Sequence, residues 1–194
     1  MLLTQQNLAD ITSAHAELPV ADSFLLPERV LQFGTGVLLR GLPDHFIDKA
    51  NKQNIFNGRI IVVKSTDTSG TDAFHQQDNL YTLCIKGIEK GHEVENYIVN
   101  NSISRVLSAR QDWSVLLEAA HNPDLQVVIS NTTEVGITLS NDKIGDAPPA
   151  SFPGKLLAFL YKRYQFFKAR PSLVWSFSRP SSYPKMRPSS KRYS

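Results

Sequence analysis

Apolar residues along this chain alternate between two kinds of run, short continuous blocks and longer helical stripes. Arg29-Val30-Leu31-Gln32-Phe33 is a short, mostly apolar block that ends in Gly34-Thr35-Gly36. It predicts a buried strand closed by a glycine turn. From Val37 to Asn51 the apolar residues fall at Leu38, Leu42, Phe46, Ile47 and Ala50, which is helical spacing. Pro43 lies in the early part of that helix or divides it from the loop. Asn57-Gly58 marks a turn. Arg59-Ile60-Ile61-Val62-Val63-Lys64 follows as a nearly continuous apolar run, the pattern of a strand buried on both faces. Strand, glycine turn, helix and strand in this order predict a parallel βαβ unit.

Further along, Leu80–Lys86 and Glu93–Ile103 read as extra strands that interrupt the βαβ pattern. Asp112–His121 reads as a helix ended by Asn122-Pro123, and Leu125–Ser130 as a second very apolar strand. Phe152–Tyr161 has the pattern of another helix. Before all of these, residues 1–22 read as an amphipathic lead-in, helical in part through Leu8–Ile11. The predicted class is α/β, with an open, mostly parallel sheet and helices on both faces. Its predicted extent is residues 27–169, after a lead-in of residues 1–26.

Composition adds a boundary. Hydrophobic residues are 41 % and charged residues 20 % of the 194, enough apolar side chain for one sizeable core. No apolar run approaches the roughly 18 residues of a membrane span. The N-terminus lacks the basic-then-apolar order of a signal peptide, so a cytoplasmic protein is expected. The single Cys84 excludes an internal disulfide, and the five histidines show no metal-ligand spacing. The net charge is +3, yet residues 170–194 hold six basic residues and no acid, which leaves residues 1–169 at −3. That serine- and proline-rich end predicts a non-native or disordered tail.

The strongest chemical signal is Gly34-Thr35-Gly36 between a strand and a helix. A diphosphate needs backbone that approaches closely, free N–H groups and the positive end of a helix. Arg40 would stand one turn further on and add charge. The competing reading is a plain tight turn, since Leu39 occupies the position of the third glycine in G-x-G-x-x-G. A ribose-binding carboxylate belongs after the second strand, where Asp67 is the first acid, 31 residues beyond Gly36. Its alternative is a solvated loop acid, and Lys64 or Arg59 would instead favour a 2′-phosphate. After the strand 125–130, Asn131, Thr132 and Glu134 offer short polar groups for a ribose or a nicotinamide amide. Glu134 is also a candidate for passing protons. The alternative there is a turn with a surface glutamate. At Lys155 a structural role is expected.

Three stretches together, VLQFGTGVLLRGLPDHFIDKAN (30–51), AHNPDLQVVISNTTEVGI (120–137) and SFPGKLLAFLYKRY (151–164), resemble the mannitol dehydrogenase family of long-chain polyol dehydrogenases. The first carries that family's G-x-G-x-x-x-R form. The resemblance implies a Rossmann-like domain, NAD as cofactor, and hydride transfer to a small hexuronate substrate. It implies no nucleic-acid or membrane partner, and nothing in the pattern specifies an oligomeric state. By position, Gly34, Gly36 and Arg40 would face the pyrophosphate, and Asn131, Thr132 and Glu134 the nicotinamide. The family's catalytic lysine lies in a C-terminal helical domain, and nothing here corresponds to it, so no catalytic residue is assigned.

The resemblance stops within residues 164–172, where the family continues with a strand such as G-M-V-I-I-P-T-E-L-I. Permitted codons for Leu173 onward, read one base out of frame, give G-M-V-I-L-P-T-E-L-I-P-E-N-A-A-K-L-K-E-I. A single-base deletion would produce such a tail, and the expected product is a truncated N-terminal domain. From a different class, the alternative is a non-catalytic nucleotide-binding module whose basic tail contacts RNA. Within the enzyme class, other substrates of the same family remain open.

Overall fold

The computed structural model describes residues 2–12, 16–64, 72–132, 135–137, 140–168 and 176–178. A 3-10 helix at Gln5–Asp10, a two-residue strand β1 (Ala16–Glu17) and a 3-10 helix at Ala21–Leu25 lead in. Then come β2 (Glu28–Phe33), α1 (Val37–Gly41), α2 (Pro43–Lys52) and β3 (Arg59–Lys64). Next in the chain are α3 (Asp72–His75), β4 (Tyr81–Glu89), β5 (His92–Asn100) and β6 (Ile103–Ser108). After them stand α4 (Trp113–Ala119), β7 (Val127–Ser130), a 3-10 turn at Val135–Ile137, α5 (Phe152–Phe167) and β8 (Ser176–Ser178).

Five strands form a wholly parallel sheet in the order β6-β3-β2-β7-β8. All six residues of β3 are buried, as its unbroken apolar run requires of a central strand. Alternation along the strands divides the core in two. Leu31, Phe33, Ile61, Val63 and Leu107 pack with Trp113, Leu116 and Ala119 of α4 and with Ala158 and Phe159 of α5. Val30, Ile60, Val62, Val106 and Ile129 pack on the other face with Leu39 of α1, Ile47 of α2, Phe74 of α3 and Tyr81 of β4. Helices therefore cover both faces, as predicted.

The extra strands form their own sheet. β4 and β5 are an antiparallel hairpin, and β1 adds to β5 in parallel. The run 93–103, read as one strand, ends at Asn100. The Asn100 side chain accepts bonds from the Ser102 backbone N–H (2.9 Å) and hydroxyl (2.7 Å), and β6 starts afresh at Ile103. The helix predicted over 37–51 is also two helices. Leu42 sits between them at φ −118°, ψ −83°, and Pro43 takes the first position of α2, where its missing N–H costs nothing.

The end of the chain differs from expectation in one respect. Residues 176–178, inside the segment expected to be disordered, pair in parallel with β7. The β7 edge is thus covered along Val127–Ile129. The remainder of that tail lies outside the described residues. Among the described residues no helix is long and apolar enough to cross a membrane.

Candidate functional site

The order of the parallel strands reverses between β2 and β7. From β2 the chain winds outward through β3 to β6, then returns to pair β7 on the other side of β2. At such a reversal the loops leaving the two strands diverge and open a crevice at their carboxyl ends. Phe33 at the end of β2 is the register partner of Ser130 at the end of β7. The Gly34–Gly36 turn and Asn131-Thr132 therefore leave neighbouring strands side by side, about 4.8 Å apart in the sheet.

The two glycines of the turn have different reasons to be glycine. Gly34 has φ +119°, a conformation that a side chain rarely adopts, and a Cβ there would meet Leu39 Cδ1 at 3.0 Å. Its N–H donates to the Val63 carbonyl of β3 (2.9 Å), which holds the turn against the sheet. Gly36 has an ordinary backbone (φ −65°, ψ 157°) and caps α1. A Cβ on Gly36 would have no protein atom within 4 Å. Nothing inside the described structure demands glycine at 36. The open space in front of it is what a close-approaching ligand requires.

Arg40 is half-buried and held from behind. The Tyr81 hydroxyl donates to the Arg40 carbonyl (2.9 Å), and the guanidinium carbon lies 5.7 Å from the centre of the Tyr81 ring. No carboxylate pairs with Arg40 within ion-pair distance among the described residues. Because α1 is barely more than one turn, its dipole is that of a short helix. A phosphate at the turn would depend more on the Arg40 charge than the sequence pattern implied.

Across the crevice Asn131 is exposed and Thr132 is half-buried, its hydroxyl 2.5 Å from that of Ser130. Asp67 and Glu134, the expected ribose acid and proton relay, lie outside the described residues. Arg59 is not available for a 2′-phosphate. It sits at the opposite, amino end of β3, where it donates to the carbonyls of Asn101 (3.1 Å), Phe24 (3.0 Å) and Ile103 (2.7 Å). Lys155 is buried, and its ammonium donates to the Ala150 carbonyl (2.6 Å) at the start of α5, a structural use.

Residues 28–175 match the model of the mannitol dehydrogenase Rossmann domain. The chain belongs to the mannitol dehydrogenase family. The altronate oxidoreductase of Halalkalibacterium halodurans is 46 % identical over 142 residues, 72 % of this chain and 28 % of that protein. That of Bacillus subtilis is 43 % identical over 143 residues, 73 % of this chain and 30 % of that protein. This chain therefore spans less than a third of these relatives' length. Among solved structures, Pseudomonas fluorescens mannitol 2-dehydrogenase, in ternary complex with NAD and D-mannitol, superposes with a TM-score of 0.73 at 21 % identity. It covers 85 % of this chain and 36 % of its own. A D-sorbitol dehydrogenase superposes with a TM-score of 0.70 at 18 % identity, covering 85 % of this chain and 37 % of its own. These two likenesses show the shared Rossmann fold.

Within this mannitol dehydrogenase domain the sequence reading missed the layer beneath the turn. Gln32, wholly buried in β2, donates through Nε2 to Asp44 Oδ2 (3.2 Å) and to the Gly34 carbonyl (3.3 Å). Asp44, in the first turn of α2, is also wholly buried. Burial pushes its carboxyl up to about 7, against the opposing pull of the Gln32 amide and the Arg40 charge. One signal was present: Gln32 is a polar residue inside the apolar run 30–33, and a polar group on a buried strand needs a partner.

Proposed function

We propose that this chain is the NAD-binding portion of an oxidoreductase that reduces D-tagaturonate to D-altronate with NADH. The observation that carries the reading is the open space before Gly36 at the strand reversal, beside Arg40 and the β7 turn. A glycine with no internal reason to be glycine, placed where α/β sheets bind dinucleotides, fits a pyrophosphate pressed against backbone. NAD supplies a hydride acceptor and donor when bound. The protein's part is to seat it. Gly34 shapes the turn, Gly36 admits the phosphates, and Arg40 offsets their charge. Asn131 and Thr132 offer an amide and a hydroxyl at the neighbouring strand end, and Asp67 is the residue for the ribose.

The hexuronate substrate is supported by the altronate oxidoreductase relatives; of the two cations that would favour the phosphorylated cofactor, Arg59 is engaged elsewhere and Lys64 is buried at the end of β3. A cytoplasmic setting belongs to the same reading. Proton transfer to the sugar carbonyl falls to the lysine of the family's helical domain, and Glu134 is kept as the candidate for relaying protons in this chain. Titration of the 194-residue chain by nicotinamide fluorescence tests the assignment. NADH should bind saturably and more tightly than NADPH, and tagaturonate should not be turned over by this chain alone. Failure of both nucleotides to bind, or turnover beyond a host-enzyme blank, would overturn it.

A further inference from the structure

Beneath the glycine turn lies a buried carboxyl that the dinucleotide reading does not use. Asp44 shows no solvent exposure, and its Oδ1 has no hydrogen-bond partner. Its Oδ2 is tied through the Gln32 amide to the carbonyl of Gly34, the residue whose left-handed backbone shapes the turn. We propose that Asp44 is a positioning residue for the dinucleotide, acting through Gln32 on the Gly34 carbonyl and through its charge on Arg40. The proposal rests on the NAD-binding reading and adds to it a dependence of cofactor affinity on the Asp44 proton.

The charged surroundings set the direction. From α1, the charge of Arg40 favours the ionised form of Asp44. From β4, the Tyr81 hydroxyl is pushed up by burial and by the charges of Asp44 and Asp48, so it stays neutral. On α2 itself, Asp48 is one turn on, and its charge is answered by Lys52 at 2.8 Å. His45 is the sequence neighbour. From β5, the neutral Asn100 donates to the Asp44 backbone carbonyl (3.2 Å). Arg40 is thus the cation that an ionised Asp44 draws on, and the same cation is the one offered to the pyrophosphate.

When Asp44 is neutral, Arg40 is free to face the phosphates, and no negative charge lies under the turn. When Asp44 ionises, it competes for Arg40 and repels the ligand. Affinity for NADH should therefore fall as pH rises through about 7, and binding should be accompanied by proton uptake. An ionised Asp44 also accepts a stronger bond from Gln32, which alters the pull on the Gly34 carbonyl.

The test measures two things on the 194-residue chain between about pH 6 and about pH 8. One is NADH affinity. The other is the chemical shift of the Gly34 carbonyl carbon without nucleotide. The wild type should lose affinity several-fold over this range, with the Gly34 carbonyl titrating at the same midpoint. Asp44→Asn should bind with the wild type's low-pH affinity at every pH, with a flat Gly34 shift. Gln32→Leu should flatten the Gly34 shift even if Asp44→Asn does not fold. His45→Gln should keep the wild-type profile. A pH profile unchanged in Asp44→Asn, a profile flattened by His45→Gln, or a Gly34 carbonyl that does not titrate in the wild type would overturn the proposal. A titrating Gly34 carbonyl without NADH binding at any pH would support the Asp44–Gln32–Gly34 link and overturn the dinucleotide reading instead.

Discussion

Gly34 and Gly36 stand two residues apart and should fail in different ways. Alanine at 34 must hold φ near +119° with its Cβ 3.0 Å from Leu39. A cost of about 1 to 3 kcal/mol in stability is expected for Gly34→Ala, measured by denaturant unfolding. Asp44 makes a second prediction at this scale. Its carboxyl is about 7 in the fold against about 3.9 for a free aspartate, so the native state holds the proton more tightly. The associated stability is fully present below the free value and is lost as pH rises through about 7. Asp44→Asn removes the ionisation. The variant should gain stability relative to wild type at about pH 8, with the gain vanishing toward about pH 4. A constant difference across the range would contradict the assignment of the shift to Asp44.

Among the elements, α5 packs on the sheet through Ala158 and Phe159 and is tied to the α4–β7 connection by a buried cation. Arg163 donates to the carbonyls of Ala120 (3.0 Å), Asn122 (2.6 Å) and Leu125 (3.1 Å), the backbone that leads from α4 into β7. Arg163→Met keeps the bulk and leaves those carbonyls short of a donor. A loss of about 2 to 4 kcal/mol is expected, read by thermal or denaturant unfolding. Elements were legible in the sequence where local pattern decides them. β3 was read to the residue because six buried positions in a row have one structural meaning, and the Asn57-Gly58 turn appears with Asn57 at φ 54°. The break at Leu42 was not legible, because its backbone angles belong to the junction and not to leucine. β6 was merged with β5 because the Asn100–Ser102 turn is made by side-chain bonds inside an otherwise strand-like run. The turn was legible at Gly34, whose positive φ calls for glycine. The site was hidden at Asp44 and Tyr81, which reach the turn only through tertiary packing.

At the scale of the whole molecule, the sheet ends on β8, three residues from a tail whose composition does not resemble a buried strand. The outer face of α5 is apolar and exposed at Leu157, Tyr161 and Tyr164. Such a face is an aggregation liability. It follows if the native continuation is encoded one base out of frame. Sequencing across codons 164–175 is expected to show a missing base whose restoration opens a frame into a C-terminal helical domain. A downstream frame that closes quickly or encodes nothing family-like would refute the frameshift.

The central claim is that the space before Gly36 receives the pyrophosphate of a dinucleotide. NADH titration of wild type and Gly36→Val, side by side, tests it most directly. A Cβ at 36 meets no protein atom within 4 Å and the backbone angles there are ordinary, so the variant should remain folded. Its side chain fills the position that the phosphates need, so NADH binding should be abolished. Equal affinity in two equally folded proteins would contradict the claim.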